Sequence, residues 1–217
     1  MEINFLKSIP KTKRNIQKRL DSKDPKIIKE AKKFDYLYWD GPREYGYGGY
    51  NYDGRWRSVA KDIISFYSLK SGMKVLDIGC GKGFLVKDLI LECPGLDAIG
   101  VDISKYALFN CEDEVIGKLH YGNAKELLFP SNSFDLVISI NTIHNLSKKN
   151  VISALKEIVR VSKGKAFVQV DSYLNETQKE IFESWVLTAK FHDYPEGWKN
   201  IFKKANYKGD YFWTIIE

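Results

Sequence analysis

The chain of 217 residues is 44% hydrophobic and 29% charged, which excludes a largely disordered protein and suffices for one well-packed domain. No apolar run approaches the ~20 residues that cross a bilayer. The three cysteines are unevenly spaced and contain no Cys-x-x-Cys pair, which argues against a disulfide framework. We therefore expect a cytoplasmic protein with reduced thiols, no membrane span and no bound metal.

The net charge of +6 is concentrated at one end of the chain. Residues 1–33 contain 11 lysines and arginines against 4 acidic residues, whereas the remaining residues contain 23 against 24. Such a basic arm can contact nucleic acid or another anionic surface, although a solvated basic face is the commoner explanation. A change of composition near residue 70 predicts an arm and substrate lid over residues 1–70 and a cofactor-binding domain over residues 71–217.

The predicted elements begin with helices. Asp24 is the predicted N-cap of a helix that starts at Pro25 and ends before Gly41, and a second helix follows Asp53. From residue 74, short apolar runs alternate with helical patterns, as in parallel strands joined by helices. Seven strands are predicted, at residues 75–78, 98–101, 118–121, 134–140, 166–170, 186–191 and 211–216. The predicted fold class is α/β: a doubly wound, Rossmann-like, seven-stranded and mostly parallel sheet with a helical, Tyr/Gly-rich N-terminal lid.

A glycine-rich turn follows the first predicted strand. Residues 77–84 read Asp-Ile-Gly-Cys-Gly-Lys-Gly-Phe, so an acidic residue ends a buried strand and glycines lead into a helix. Glycines permit a tight turn and let a ligand lie against the backbone. The dinucleotide fingerprint needs its third glycine at position 84, and a Walker loop needs Ser or Thr directly after its lysine. The sequence fits neither motif well. The remaining explanations are a turn that binds another nucleoside-type ligand and a plain strand-to-helix turn.

Polar residues also follow the second and third predicted strands. Asp102 ends the second strand, where a carboxylate can accept hydrogen bonds from both hydroxyls of a ribose. The alternative is that Asp102 only marks the start of the next helix. Asn123 and Ala124 follow the third strand, where an amide beside a small residue can contact an adenine edge, although such a segment is often only a turn.

The order of these motifs resembles that of the class I S-adenosylmethionine-dependent methyltransferases, in particular the type 11 group, over roughly residues 72–171. The resemblance implies that the methionine part of S-adenosylmethionine lies at the glycine turn, the ribose at Asp102 and the adenine at Asn123, where many relatives have Asp. The residues assigned to this cofactor are Asp77, Gly79, Cys80, Gly81, Gly83, Phe84, Asp102, Ile103, Asn123, Ala124 and Asn141.

The resemblance also places the segment after the fourth strand beside the methyl group. Methyl transfer is an in-line displacement on a good leaving group, so its main requirements are alignment and exclusion of water. A base is needed only when the acceptor loses a proton, as a hydroxyl does. His144 and Asp171 are the candidate catalytic residues, with a packing role as the alternative for each.

Residues 44–57 contain four tyrosines and four glycines, which is typical of a loop folded over a pocket. Nearby arginines favour an acceptor that carries phosphate or carboxylate. The candidate substrate-binding residues are Arg43, Tyr47, Tyr50, Tyr52 and Arg55, with packing of the arm as the alternative. The string Gly-Tyr-Gly-Gly-Tyr is similar to one in a branch of methyltransferases linked to bacterial surface-polysaccharide biosynthesis, which implies a capsule or lipopolysaccharide precursor as acceptor.

The preferred function is therefore methyl transfer from S-adenosylmethionine to a small, anionic acceptor, with O-methylation favoured. Methylation of RNA or protein is the alternative that the basic arm suggests. The Asn/Asp-Pro-Pro-aromatic motif of base-methylating enzymes does not follow the fourth strand, so we expect no nucleic-acid partner. A non-catalytic cofactor-binding protein is the third alternative, and no oligomeric state is predicted.

Overall fold

The computed structural model describes residues 1–10 and 14–216. Lys11 and Lys13 of the predicted basic arm therefore lie outside the described residues. Within the described ranges, every helix is too short or too polar to cross a bilayer.

Six strands form one parallel sheet in the described part of the chain, in the order β3-β2-β1-β4-β5-β6. They are β1 (Lys74–Ile78), β2 (Asp97–Asp102), β3 (Leu119–Tyr121), β4 (Leu136–Ile140), β5 (Ala166–Ser172) and β6 (Asp210–Ile215). This arrangement confirms the α/β, Rossmann-like prediction. The predicted seventh strand at residues 186–191 is wrong, because that apolar run is an irregular segment in which Lys190 and Phe191 donate backbone N–H groups to the carbonyl oxygen of His144.

The helices are α1 (Ile16–Asp21), α2 (Pro25–Ala31), α3 (Tyr36–Trp39), α4 (Trp56–Tyr67), α5 (Phe84–Glu92), α6 (Lys105–Phe109), α7 (Lys148–Val161), α8 (Glu176–Trp185) and α9 (Pro195–Lys204). Asp24 caps α2 as predicted, since its side chain accepts a hydrogen bond from the Lys26 N–H. The first predicted helix is nevertheless divided in two, because Phe34 adopts a left-handed conformation with φ 54° between α2 and α3. Helix α8 was not predicted.

Helices cover both faces of the sheet, as the doubly wound architecture requires. Successive residues of a strand point to opposite faces, so Val75 packs with α4 and α5 while Leu76 packs with α7 and α9. Both side chains are fully buried. Burial of one such side chain contributes ~1.5–3 kcal/mol.

Two features of the fold position the site. The strand order reverses between β1 and β4, and in open α/β sheets ligands bind in the crevice at the carboxyl ends of the strands beside such a reversal. Residues 34–54, which we name the covering segment, lie over the glycine turn at this edge: the ring of Trp39 packs on Gly81, and the carboxylate of Asp40 pairs with Lys82.

Candidate active site

A cavity of about 380 Å³ opens at the carboxyl ends of strands β1 to β4. Its wall consists of the turns that follow these strands and part of the covering segment. The predicted cofactor residues that line it are Asp77, Gly79, Cys80, Gly81, Phe84, Asp102, Ile103, Asn123, Ala124 and Asn141. Gly83 does not line the cavity. It is the N-cap residue of α5, with φ 77°, and lies against the side chain of Leu119.

The glycines of the turn are required by both backbone conformation and contacts. Gly79 and Gly81 have φ values of 81° and 56°, which favour glycine. A Cβ on Gly79 would collide with Thr142, and one on Gly81 would lie 2.8 Å from the ring of Trp39. The Gly79 N–H donates to the carbonyl oxygen of Val101 at 2.7 Å. The turn is thus fixed to β2 beneath it and to the covering segment above it.

Asp102 is buried at the end of β2 and is held by backbone donors. Its Oδ2 accepts the Gly81 N–H at 2.8 Å, and its Oδ1 accepts the Ser104 N–H at 2.7 Å. Burial raises the pKa of Asp102, and these hydrogen bonds oppose the shift. Because a carboxylate offers about four acceptor positions, both oxygens retain capacity for the two hydroxyls of a diol.

Asp77 is buried at the end of β1, and no described residue forms a hydrogen bond or ion pair with its carboxylate. Burial, with the negative charge of Asp102, raises the pKa of Asp77 to about 7. Asn145 also lines the cavity, and its Oδ1 is buried with no hydrogen-bond partner among the described residues. Unpaired acceptors of this kind fit a ligand that carries positive charge and N–H donors.

The side chain of Asn141 is oriented by two neighbours. The Gln169 amide donates to Thr214 Oγ1 at 2.9 Å, and the Thr214 hydroxyl donates to Asn141 Oδ1 at 2.8 Å. Asn141 itself has a positive φ of 52°, which turns the chain at the end of β4. Because the oxygen already accepts one hydrogen bond, the NH₂ group of Asn141 is the part of this side chain that has no partner among the described residues.

The two candidate catalytic residues contact each other, although neither lines the cavity. His144 Nδ1 accepts the backbone N–H of Asp171 at 3.2 Å, and His144 Nε2 lies 3.5 Å from Asp171 Oδ2. Both ring nitrogens therefore face Asp171. Burial raises the pKa of the Asp171 carboxyl, and the charges of His144, Arg14 and His192 oppose this shift.

Aromatic side chains of the covering segment form one side of the cavity. Tyr47 stacks on Trp39 with ring centroids 5.3 Å apart and 6° between the planes, and Tyr50 stacks on Phe84 at 4.8 Å. All four residues line the cavity. Aromatic faces suit a cationic sulfonium as well as an adenine ring.

Three of the candidate substrate residues do not line the cavity. Arg55 pairs with Asp53 at 2.5 Å on the exposed surface, and the Tyr52 hydroxyl donates to Asp88 at 2.6 Å. Arg43 lies against the ring of Trp185 in α8. The sequence analysis grouped Arg43, Tyr52 and Arg55 with Tyr47 and Tyr50 because all five are close in the chain. Neighbouring residues of an irregular segment point in different directions, so this grouping did not predict their partners.

Four lysines line the cavity that the sequence analysis did not identify as site residues: Lys32, Lys33, Lys125 and Lys190. Lys125 directly follows the predicted Asn123-Ala124 pair, so the sequence could have indicated it as a site residue. Lys32 and Lys190 come from distant parts of the chain, and no spacing connects them to a motif. Lys33 pairs with Glu30 at 2.6 Å, whereas Lys32, Lys125 and Lys190 form no ion pair among the described residues.

Comparisons with known proteins agree with this geometry. Residues 76–168 match the family described as a methyltransferase domain. The chain is 35% identical over 140 residues to a tRNA (carboxymethyluridine(34)-5-O)-methyltransferase of Arabidopsis thaliana, covering 63% of this chain and 33% of the relative. It is 31% identical over 118 residues to the demethylmenaquinone methyltransferase of Symbiobacterium thermophilum, covering 51% and 46%. The YcgJ protein of Bacillus subtilis has a similar fold, with a TM-score of 0.56 and 20% identity over 67% of this chain and 66% of that one.

Residues 76–168 therefore resemble a methyltransferase domain, and the likeness to YcgJ shows a shared fold. The chain spans less than half the length of the curated relatives it matches first. The named relatives act on different acceptors, a quinone and a tRNA among them, so the acceptor of this protein does not follow from the comparisons.

Proposed function

We propose that the protein transfers the methyl group of S-adenosylmethionine to a small acceptor that carries a phosphate or carboxylate group. The observation that supports this most is the pair of buried carboxylates, Asp77 and Asp102, at the carboxyl ends of adjacent strands of one cavity. Asp77 faces the cavity without a cation from the protein, which suits the charged methionine part of the cofactor. Asp102 suits the ribose hydroxyls, and Asn123 and Ala124 the adenine.

The bound cofactor supplies a methyl group on a positively charged sulfur. The protein's contribution is to align and dehydrate the site: Trp39, Tyr47 and Tyr50 exclude water above the glycine turn, and the NH₂ group of Asn141 orients a polar group in the cavity. His144 and Asp171 are the candidates for taking a proton from a hydroxyl acceptor; because neither lines the cavity, this role requires the acceptor to reach the pair behind the cavity wall. In this proposal residues 1–70 act as arm and lid, and residues 71–217 as the cofactor domain.

The three lysines of the cavity wall that form no ion pair among the described residues, Lys32, Lys125 and Lys190, favour an anionic acceptor. A capsule or lipopolysaccharide precursor with a phosphate or carboxylate meets that requirement, and O-methylation remains the favoured reaction. The cytoplasmic location inferred from the cysteines stays a prediction.

The test is a screen of acceptors for release of S-adenosylhomocysteine, run beside calorimetric binding of S-adenosylhomocysteine to the purified protein. We expect micromolar binding of the nucleoside and turnover with anionic sugars but not with their neutral analogues. Failure to bind the nucleoside would refute the assignment of the cavity. Binding without turnover of any acceptor class would favour a non-catalytic cofactor-binding protein.

Methylation of RNA is a second candidate, because the tRNA methyltransferase relative covers 63% of this chain. The expectation of no nucleic-acid partner is therefore not supported by the comparisons. A filter-binding titration with tRNA separates the two candidates: nanomolar affinity that falls steeply with salt favours RNA.

A further inference from the structure

Three guanidinium groups surround one indole ring at the end of α8. The Cζ atoms of Arg14, Arg19 and Arg43 lie 5.7, 4.9 and 5.4 Å from the ring centroid of Trp185. Each is close enough for a cation–π contact. Because all three lie around a single ring, they are at most about 11 Å from one another, which is close to one Debye length at 0.1 M salt, and they repel.

No carboxylate among the described residues lies within ion-pair distance of these arginines, although the charges of Glu44 and Asp171 act on Arg19 and Arg14 and offset part of that repulsion. Their hydrogen bonds go to neutral carbonyl oxygens. Arg19 donates to Glu44 O at 2.7 Å and to Gly46 O at 3.4 Å, and Arg43 donates to Gly46 O. A guanidinium has five N–H donors, so Arg19 and Arg43 both retain unused ones.

Burial also acts against these charges. It is the first cause that lowers the pKa of Arg19, and the charge of Arg43 adds to it. Arg43 is an exposed residue, but partial desolvation also lowers its pKa, with a further contribution from Arg14. Both groups stay protonated, since arginine does not lose its proton in proteins. A bound oxyanion would relieve the repulsion and use the free donors.

The cluster lies beside the candidate active site. Arg43 interacts electrostatically with Tyr38 and Tyr47, which line the cavity. Arg14 acts on the buried carboxyl of Asp171 from the same region. The arginine cluster therefore lies near two tyrosines that line the cofactor cavity.

We propose that Arg14, Arg19 and Arg43, arranged around Trp185, form a subsite for one oxyanion group, a phosphate or a carboxylate, of the methyl acceptor. The assignment of this anion to the acceptor rests on the proposed function, whereas the anion site itself does not. Three cations that converge on one ring fit a single compact anion. An RNA backbone requires a groove or stripe of positive charge instead.

The test is a fluorescence titration with inorganic phosphate and, separately, with acetate, at constant ionic strength. Trp185 is one of five tryptophans, so its signal is obtained as the difference between the wild-type protein and Trp185→Phe. Arg43→Gln removes one exposed cation and leaves the contacts of Arg19 in place. Arg43→Lys keeps the charge, and Arg57→Gln is the matched control, because Arg57 pairs with Glu92 instead.

We expect a saturable change in the wild-type protein and in Arg57→Gln. The affinity should fall at least fivefold in Arg43→Gln and less in Arg43→Lys. The stronger of the two probes identifies phosphate or carboxylate as the preferred anion. Identical titrations of the wild type and Arg43→Gln would overturn the proposal, as would a single-stranded oligoribonucleotide that binds at the cluster a hundredfold more tightly than phosphate.

Calorimetry with S-adenosylhomocysteine on the same variants distinguishes this proposal from the proposed function. If the variants and the wild type all fail to bind the nucleoside while phosphate binding depends on Arg43, the methyltransferase proposal fails and the anion site stands. If the nucleoside binds normally and phosphate does not bind, the anion site alone is refuted. Retained nucleoside binding by Arg43→Gln also shows that this variant folds.

Discussion

The carboxylate of Asp40 and the ammonium group of Lys82 lie 2.7 Å apart and join the covering segment to the glycine turn. Lys82 is buried, and Asp40 also accepts hydrogen bonds from the Tyr106 hydroxyl at 2.8 Å and the Tyr50 N–H at 3.0 Å. Burial alone would raise the pKa of Asp40, but these donors together with Lys82 lower it overall. The position of the covering segment is thus coupled to the conformation of the turn that faces the ligand.

This coupling predicts unequal effects of removing either partner. Asp40→Asn leaves Lys82 buried without a carboxylate, whereas Lys82→Met leaves Asp40 with two other donors. We expect Asp40→Asn to lower the free energy of unfolding by ~1–3 kcal/mol and Lys82→Met to lower it less. Asp40→Asn should also speed release of S-adenosylhomocysteine. Denaturant titration and stopped-flow release measure these effects, with Asp53→Asn as control, and equal behaviour of Asp40→Asn and Asp53→Asn would contradict the coupling.

Asp77 predicts that cofactor binding depends on pH. Its pKa of about 7 means that the carboxyl is largely protonated at pH 6 and ionised at pH 8. A cationic ligand binds the ionised form, so the affinity for S-adenosylmethionine should fall as the pH is lowered through 7, by up to tenfold per pH unit. Calorimetry from pH 6 to 8 measures this slope. The slope should be absent in Asp77→Asn, and equal slopes in both proteins would contradict the assignment.

The same carboxyl should destabilise the ligand-free protein above neutral pH. Because its folded-state pKa lies above the ordinary aspartate value of 3.8, the folded state holds the proton more tightly than the unfolded state. Its contribution therefore falls as the pH rises from about 4 to 7 and is lost above 7. The Asp77→Asn variant does not lose this contribution as the pH rises. Its free energy of unfolding, measured relative to that of the wild type, should therefore increase by a few kcal/mol between pH 5 and 8. Thermal melts at the two pH values test this, and an unchanged difference would argue against a buried, unpaired carboxylate.

The local features of the fold were predictable from sequence. Glycines 79 and 81 and the acidic residue before them are close in the chain, so their spacing indicated the turn. The error at residues 186–191 has a physical cause, since a short apolar run does not distinguish a strand from a buried irregular segment. Those residues follow α8 and pair with the carbonyl oxygen of His144 instead of a neighbouring strand.

The long-range contacts of the site were not predictable in the same way. Asp40 and Lys82 are 42 residues apart, and neither belongs to a motif that implies the other. The arginines around Trp185 come from residues 14 to 43, which the sequence showed only as an excess of basic charge. Without an alignment of homologues, one sequence gives no signal that pairs such residues.

Asp102 is predicted to contribute most of the affinity for the ribose. Asp102→Ala should weaken binding of S-adenosylhomocysteine by ~2–3 kcal/mol, because two charge-assisted hydrogen bonds are lost. The substitution also frees the N–H groups of Gly81 and Ser104, so Asp102→Asn, which keeps one acceptor oxygen, is the matched variant. We expect Asp102→Asn to lie between the wild type and Asp102→Ala in calorimetric affinity. Unchanged affinity in Asp102→Ala would remove the ribose assignment.

His144 and Asp171 should differ in their effects on turnover. Both nitrogens of His144 face Asp171, so in this proposal Asp171 takes the proton of an acceptor that reaches beyond the cavity wall, and His144 is its positioning residue. With a hydroxyl acceptor, Asp171→Asn should lower kcat 10²–10⁴-fold and remove the acidic limb of the pH–rate profile. His144→Gln should lower kcat less and keep that limb, since the carboxyl remains, and neither variant should alter affinity for S-adenosylhomocysteine. Loss of the limb in His144→Gln but not in Asp171→Asn would reverse the two roles.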